Sequence, residues 1–193
     1  MKTSLVVTIA SVILFAVWVA RGQSPPRDPE RIEPEAYRVY SEVLRSESER
    51  LASNEALVIK DITSDGQLKL PSFDLGKCFN PEQVPTAVVE NFKIANARSW
   101  QLENRLEHDT YKFEHDVPHN YLQFSAVGFN PDKTLAVVEL IRSSAPEDST
   151  TIEQTSDFVL LGKQRGKWQV LKTGCHTSRV ILSNVPSGLQ QTH

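Results

Sequence analysis

The chain has 193 residues, 24 of them acidic and 21 Lys or Arg, for a formal net charge of −3, and it contains two cysteines. A mildly acidic chain without a Lys/Arg cluster has no electrostatic reason to bind nucleic acid, so that class is set aside. The length suits one domain with a single sizeable core and is short for two.

Residues 1–22 begin with Lys2, run through an apolar stretch to Ala20 and end in small residues. That is the layout of a secretory signal peptide, with Ala20 and Gly22 placed for a cut before Gln23. The alternative is a retained membrane anchor, because the apolar run is near the lower limit of roughly 18 residues for a spanning helix. Membrane association is expected only if this segment stays on the chain. Its removal takes away Lys2 and Arg21 and no acid, leaving 19 basic against 24 acidic residues. Residues 23–33 are Pro-rich and charged and read as an extended spacer ahead of the domain.

From Pro34 the residues Ala36, Tyr37, Tyr40, Val43, Leu44 and Leu51 recur three or four apart, which predicts an amphipathic helix ending near Ser53 and Asn54. A short strand is expected over residues 56–62, followed by Gly/Pro/Ser/Asp-rich loop or edge to Asn80. Val84, Val88, Phe92 and Ala95 form one stripe and predict a second helix beginning near Pro85. Residues 102–113 alternate weakly, with a strand expected through Tyr111–Phe113.

The region the rest is built around is residues 121–173. It reads as strands over 121–129, 134–142 and 158–173, the last folded back at Arg165-Gly166, which makes four. Asn130-Pro131-Asp132-Lys133 suits a tight turn, and Gly166 supplies the positive φ that a short hairpin needs. Leu135–Val138 and Phe158–Leu161 are continuous apolar runs and predict central strands covered on both faces. Lys167-Trp168-Gln169-Val170 alternates and predicts one wet face. Residues 143–156 are polar and predict a long hairpin loop; residues 179–183 could add an edge strand. The expected fold is α+β, an antiparallel β-meander with two main helices packed on one face. It makes a single domain over residues 34–185, with a flexible tail at 186–193.

The run Ser125-Ala126-Val127-Gly128-Phe129-Asn130, then Asp132-Lys133-Thr134 with Ala136-Val137-Val138, later Leu160-Leu161-Gly162-Lys163 and Gly166-Lys167-Trp168-Gln169-Val170, resembles a group of uncharacterised exported bacterial proteins. Those proteins carry VGFN, D-x-T-x-A, LL-x-K and GKW in the C-terminal half. The likeness covers about a third of the chain and consists of hairpin turns and strand cores. It implies export and a common fold, and no catalytic residue. Members carry Cys and Gly pairs between the second and third strands. Residues 143–156 hold neither here, so nothing tied to those cysteines carries over.

For chemistry, the candidates are His108-Asp109, His115-Asp116 and His119, since imidazoles four apart on a helix can share a metal and a carboxylate can orient each. Pro118 argues against one continuous helix there, and adjacent His-Asp pairs do not aim at one site, so exposed loop histidines are the default. Cys175-His176 could be a thiol and its base, but neighbours on a strand point to opposite faces. No Gly-x-Ser-x-Gly elbow, phosphate loop or Cys-x-x-Cys pair is present in the sequence. Trp100, Trp168, Tyr37, Tyr40 and Tyr121 could line a cavity, although aromatic residues at these spacings are more often core.

An even cysteine count in an exported chain predicts a disulfide between Cys78 and Cys175, against the alternative of two buried thiols. No catalytic, cofactor-binding or metal-binding residue is assigned, and no cofactor is expected. The first reading is an exported, non-catalytic domain that binds a protein or small-molecule partner through its sheet or the 143–156 loop. The second is a cell-envelope hydrolase with His115, His119 or His176 as base. A pocket holding one of these histidines beside a carboxylate or hydroxyl would favour the enzyme.

Overall fold

The computed structural model describes residues 31–51, 57–64, 75–80, 82–103, 105–106, 111–117, 119–145 and 151–182; all but Arg31 belong to the compact unit Ile32–His193. The expected signal segment 1–22, most of the spacer and the tail 186–193 lie outside the described residues. Among the described residues no helix is long and apolar enough to cross a membrane.

The first helix, α1, is Pro34–Leu51. Its stripe of Ala36, Tyr37, Val39, Tyr40, Val43 and Leu44 is buried, while Arg38 pairs with Glu35 and Arg45 with Glu42 and Glu49 on the wet side. Such pairs at three- and four-residue spacing add a few tenths of a kcal/mol each, so burial of the stripe is what holds the helix down. A one-turn helix, α2, is Leu75–Cys78, and α3 is Thr86–Ala95, opened by Pro85. Val84, Val88 and Phe92 are buried as their spacing predicts.

Seven strands follow in chain order: β1 Leu57–Lys60, β2 Tyr111–Glu114, β3 Tyr121–Phe124, β4 Gly128–Phe129, β5 Leu135–Ser144, β6 Thr151–Gln164 and β7 Lys167–Leu182. They form one sheet in the order β2-β1-β3-β5-β6-β7, with β4 also on β5. The sheet is mixed, which corrects the expected purely antiparallel meander. Strands β3 to β7 pair antiparallel, but β1 lies parallel to both β2 and β3. The α2–α3 segment carries the chain from one end of β1 back to the start of β2, and a parallel pair requires such a crossover.

The two main helices pack on opposite faces, not on one. Alternate residues of β5 divide the core: Ala136, Val138 and Leu140 join Tyr40, Leu44, Val159, Leu161 and Trp168 under α1, whereas Val137 joins Val88, Phe92, Phe158 and Leu160 under α2 and α3. This double coverage is why Leu135–Val138 of β5 and Phe158–Leu161 of β6 are apolar without alternation. Trp168 is 5% exposed, lies 5.8 Å from the Phe129 ring and donates its indole N–H to Glu35 Oε1 at 2.7 Å. Burial pushes the Glu35 carboxyl up, but hydrogen bonds from Lys163 and Trp168 and the Lys163 charge bring it below the ordinary carboxylate value.

Three local expectations also change. The stretch 121–129 is two strands, because residues 125–127 oppose one residue fewer on β5, a bulge. Asn96, at the end of α3, closes it: its side chain accepts the Ala126 N–H at 2.8 Å and donates to the Ala126 carbonyl at 2.9 Å. The polar stretch expected as loop is strand over residues 143–144 and 151–156, with Ser144 paired to Glu153. Thr and Ser suit a strand when a partner supplies the ladder, and composition alone does not register the partner. Residues 179–182 extend β7 and do not form a further strand. The hairpin turns hold: Lys133 N–H donates to the Asn130 carbonyl at 3.0 Å, and Arg165 and Gly166 both have positive φ, 51° and 80°, as a two-residue type I′ turn requires.

Cys78 and Cys175 form a disulfide across 97 residues, with Cα atoms 4.9 Å apart. It joins α2 to a bulge of β7 where Cys175 has φ 52°. Gly174 beside it allows the approach, because a Cβ there would sit 2.7 Å from the Cys78 carbonyl oxygen.

Candidate functional site

The parallel register of β1 and β2 sets Lys60 opposite Glu114, so the next residues, Asp61 and His115, leave the sheet side by side. Asp61 N–H donates to the Glu114 carbonyl at 3.1 Å and fixes this exit. One carboxylate oxygen of Asp61 meets His115 Nδ1 at 2.9 Å, and the other accepts from Gln101 Nε2 at 2.7 Å. Gln101 is held there by its bridge to Ile62 and by the Leu102 N–H to Asp61 carbonyl bond at 2.7 Å.

Lys60, Ile62, His115, Asp116 and Val117 line a cavity of about 590 Å³ at this end. That volume lies within the range of roughly 300–1,000 Å³ typical of small-molecule sites. The carboxyl ends of parallel strands are a recurrent place for ligands, because the chain fans out there into loops on either side. Lys60 Nζ lies 5.3 Å from the centre of the Tyr121 ring, which places its cation over an aromatic face. With Nδ1 on Asp61, the outer nitrogen of His115 is left for other contacts, and the lining offers an imidazole, an ammonium and a carboxylate within one opening. The imidazole side chain is 64% exposed, so water reaches it.

His115 is exposed, as the default reading of these histidines had it, but it has a carboxylate partner, Asp61, 54 positions away. A parallel pairing of two four-residue strands leaves no mark in sequence spacing, so this pair was not readable. His119 forms no hydrogen bond or ion pair among the described residues, and His108 and Asp109 lie outside them. No group of three or more His, Cys, Asp or Glu arranged to hold a metal occurs among the described residues.

Cys175 is bound in the disulfide, which removes the thiol-and-base reading of Cys175-His176. His176 meets Asp157 instead, Nδ1 to Oδ1 at 3.0 Å. Asp157 also accepts from Arg142, whose guanidinium is held bidentate by Glu47 at 2.8 and 2.7 Å. Burial pushes the Arg142 pKa down, but the two carboxylates outweigh it and raise it. This chain of charges fastens α1 to the centre of the sheet, and removal of Arg142 would leave Glu47, 5% exposed, without its bidentate partner. Trp168, Tyr37 and Tyr40 are core; the Tyr37 hydroxyl accepts the Glu103 N–H at 2.9 Å and the Tyr40 hydroxyl donates to the Ser125 carbonyl at 3.0 Å.

On the α3 face, Glu139 of the central strand β5 is 5% exposed. Burial pushes its pKa up to about 7 against the opposing hydrogen bond from Ser156 and the charge of Arg179. No protein-family model, curated protein or solved structure matches the chain.

Proposed function

We propose that the protein is an exported domain that binds a small polar ligand in the cavity at the carboxyl ends of β1 and β2, without catalysing a reaction on it. The observation that carries this reading is Asp61, whose two oxygens fix His115 and Gln101 at 2.9 and 2.7 Å. Lys60 and Asp116 line the same opening, so it presents charges of both signs, matched to a zwitterionic ligand such as an amino acid or short peptide. The export half of the reading rests on the layout of residues 1–22 and on the likeness to exported proteins. A long-range disulfide is in keeping with an oxidising compartment.

A hydrolase with His115 as base and Asp61 as its orienting carboxylate is the second reading, favoured by that same 2.9 Å contact. Exposure weighs against it. Transition-state charge is stabilised best where water is excluded, and an imidazole 64% open to solvent lacks that setting.

Calorimetric titration with a panel of amino acids and dipeptides tests the proposal. Binding that falls at least tenfold in both D61N and H115A, with no ligand consumed, supports it. Turnover of dipeptides or small esters that disappears in H115A supports the hydrolase, and titrations indifferent to both substitutions overturn both readings. N-terminal sequencing of the exported product is expected to begin at Gln23; a start at Met1 in the membrane fraction overturns cleavage.

A further inference from the structure

A second surface lies at the other edge of the sheet, independent of the cavity. Strand β7 is the last in the order and, among the described residues, pairs with β6 alone. Its charged side chains are Lys167, Lys172, His176 and Arg179, with no Asp or Glu in 16 residues, in a chain whose overall charge is −3. His176 is matched by Asp157. Lys167 and Lys172 have no ion pair among the described residues, and Arg179 donates to a neutral acceptor, Gln154 Oε1, at 3.0 and 2.5 Å. Lys167 and Lys172 are therefore without a counter-ion at contact distance among the described residues, while the charge of Arg179 acts on the buried Glu139. Bulges near Leu171 and Cys175 interrupt the ladder, and the longest regular stretch is Thr177–Leu182, paired residue by residue with β6 and, among the described residues, with nothing on its other side. Within it Val180 is 62% exposed, and before it Leu171 is 48% exposed.

Lysines along an edge guard a sheet against pairing with its own copies, since like charges meet across the new ladder. The same charges favour an extended chain of opposite sign, for which the backbone groups supply affinity and alternate side chains supply selection. We infer that the free edge of β7 over Thr177–Leu182 takes up an extended segment of a partner protein in which acidic and apolar residues alternate. Its carboxylate meets Arg179, and its apolar residues lie against Val180.

The test uses the full mature chain with a seven-residue peptide alternating Val and Glu, a matching peptide alternating Val and Lys, and a Val/Glu peptide N-methylated at every second residue. Amide hydrogen exchange is the readout. The Glu peptide is expected to slow exchange in Thr177–Leu182 at least tenfold. The Lys peptide and the N-methylated peptide are expected to have no effect, the latter because strand addition needs its N–H groups. The variant R179E, at an exposed position, should reverse the preference between the Glu and Lys peptides. H115A should leave the effect unchanged, which separates this inference from the ligand cavity. Equal protection by Glu and Lys peptides, protection centred on another element, retention of the effect on N-methylation, or protection that appears on raising protein concentration alone each overturn the proposal; the last would assign the edge to a second copy of the chain.

Discussion

The two sides of the sheet are built by different means. From β5 to β7 every neighbour in space is a neighbour in sequence, joined by a tight turn or a short connection, and the ladders are long: ten residue pairs between β5 and β6. From β3 to β2 the ladders are short, four pairs between β1 and β2 and one between β1 and β3, and the strands meet only because the α2–α3 crossover brings the chain back. The first side derives its stability from local hairpins and two-faced burial. The second is held by Ile59 of β1, buried in the α1-side core with Leu102 and Leu122, on much shorter ladders, and the candidate cavity lies at that end. Binding sites are commonly drawn from the less stable part of a fold, where chain ends and loops are available.

The largest expected effect lies on the hairpin side. Trp168→Ala removes an indole that is 5% exposed and bonded to Glu35, and is expected to cost about 3–5 kcal/mol in chemical denaturation. A cost below about 1 kcal/mol would mean that the α1 face of β7 does not carry the core.

Next is the disulfide, the covalent tie between the crossover and the hairpin side. Reduction, or Cys78→Ser with Cys175→Ser, is expected to lower stability by about 2–4 kcal/mol, since the closed loop spans 97 residues. Thiol titration of the unreduced, denatured protein should find none. Loss of β2 and β1 amide protection before that of β5 and β6 after reduction would sharpen the contrast, and uniform loss would erase it.

Glu139 gives the central strand a pH dependence. Its folded-state pKa lies at about 7 against an ordinary 4.5, so in that window the folded chain binds more protons than the unfolded one. Stability contributed by this group is present below about 4.5 and is lost as pH rises towards 7. The full difference is roughly 3 kcal/mol. Glu139→Gln should flatten the stability profile between those limits, measured by denaturation at several pH values; an unchanged slope would mean that the carboxyl is ionised in the fold.

The smallest effect on stability is expected at the cavity. His115→Ala, at a side chain 64% exposed, should change stability by less than about 0.5 kcal/mol. A larger loss would make the Asp61–His115 contact a support of the parallel edge and weaken its claim as a binding element.

What the sequence determined by itself is the set of features that repeat or act at short range. The stripe of α1, the stripe through Val84, Val88 and Phe92, the Asn130 and Gly166 turns and the unbroken apolar runs of β5 and β6 are all legible, because period and turn chemistry are properties of adjacent residues. The sulfur pair Cys78–Cys175 was legible for a different reason, there being no other cysteine to choose. Tertiary structure decided whatever depends on residues far apart. The same apolar runs are compatible with helices on one face or both, and only the packing of Val137 under α3 and Val138 under α1 distinguishes them. The polar residues at 143–144 and 151–156 became strand because β5 and β6 continue to pair past the apolar run. Asp61 and His115 meet through a parallel register that no turn fixes, since pairing between strands separated by a crossover is set by the collective packing of the sheet rather than by any local preference.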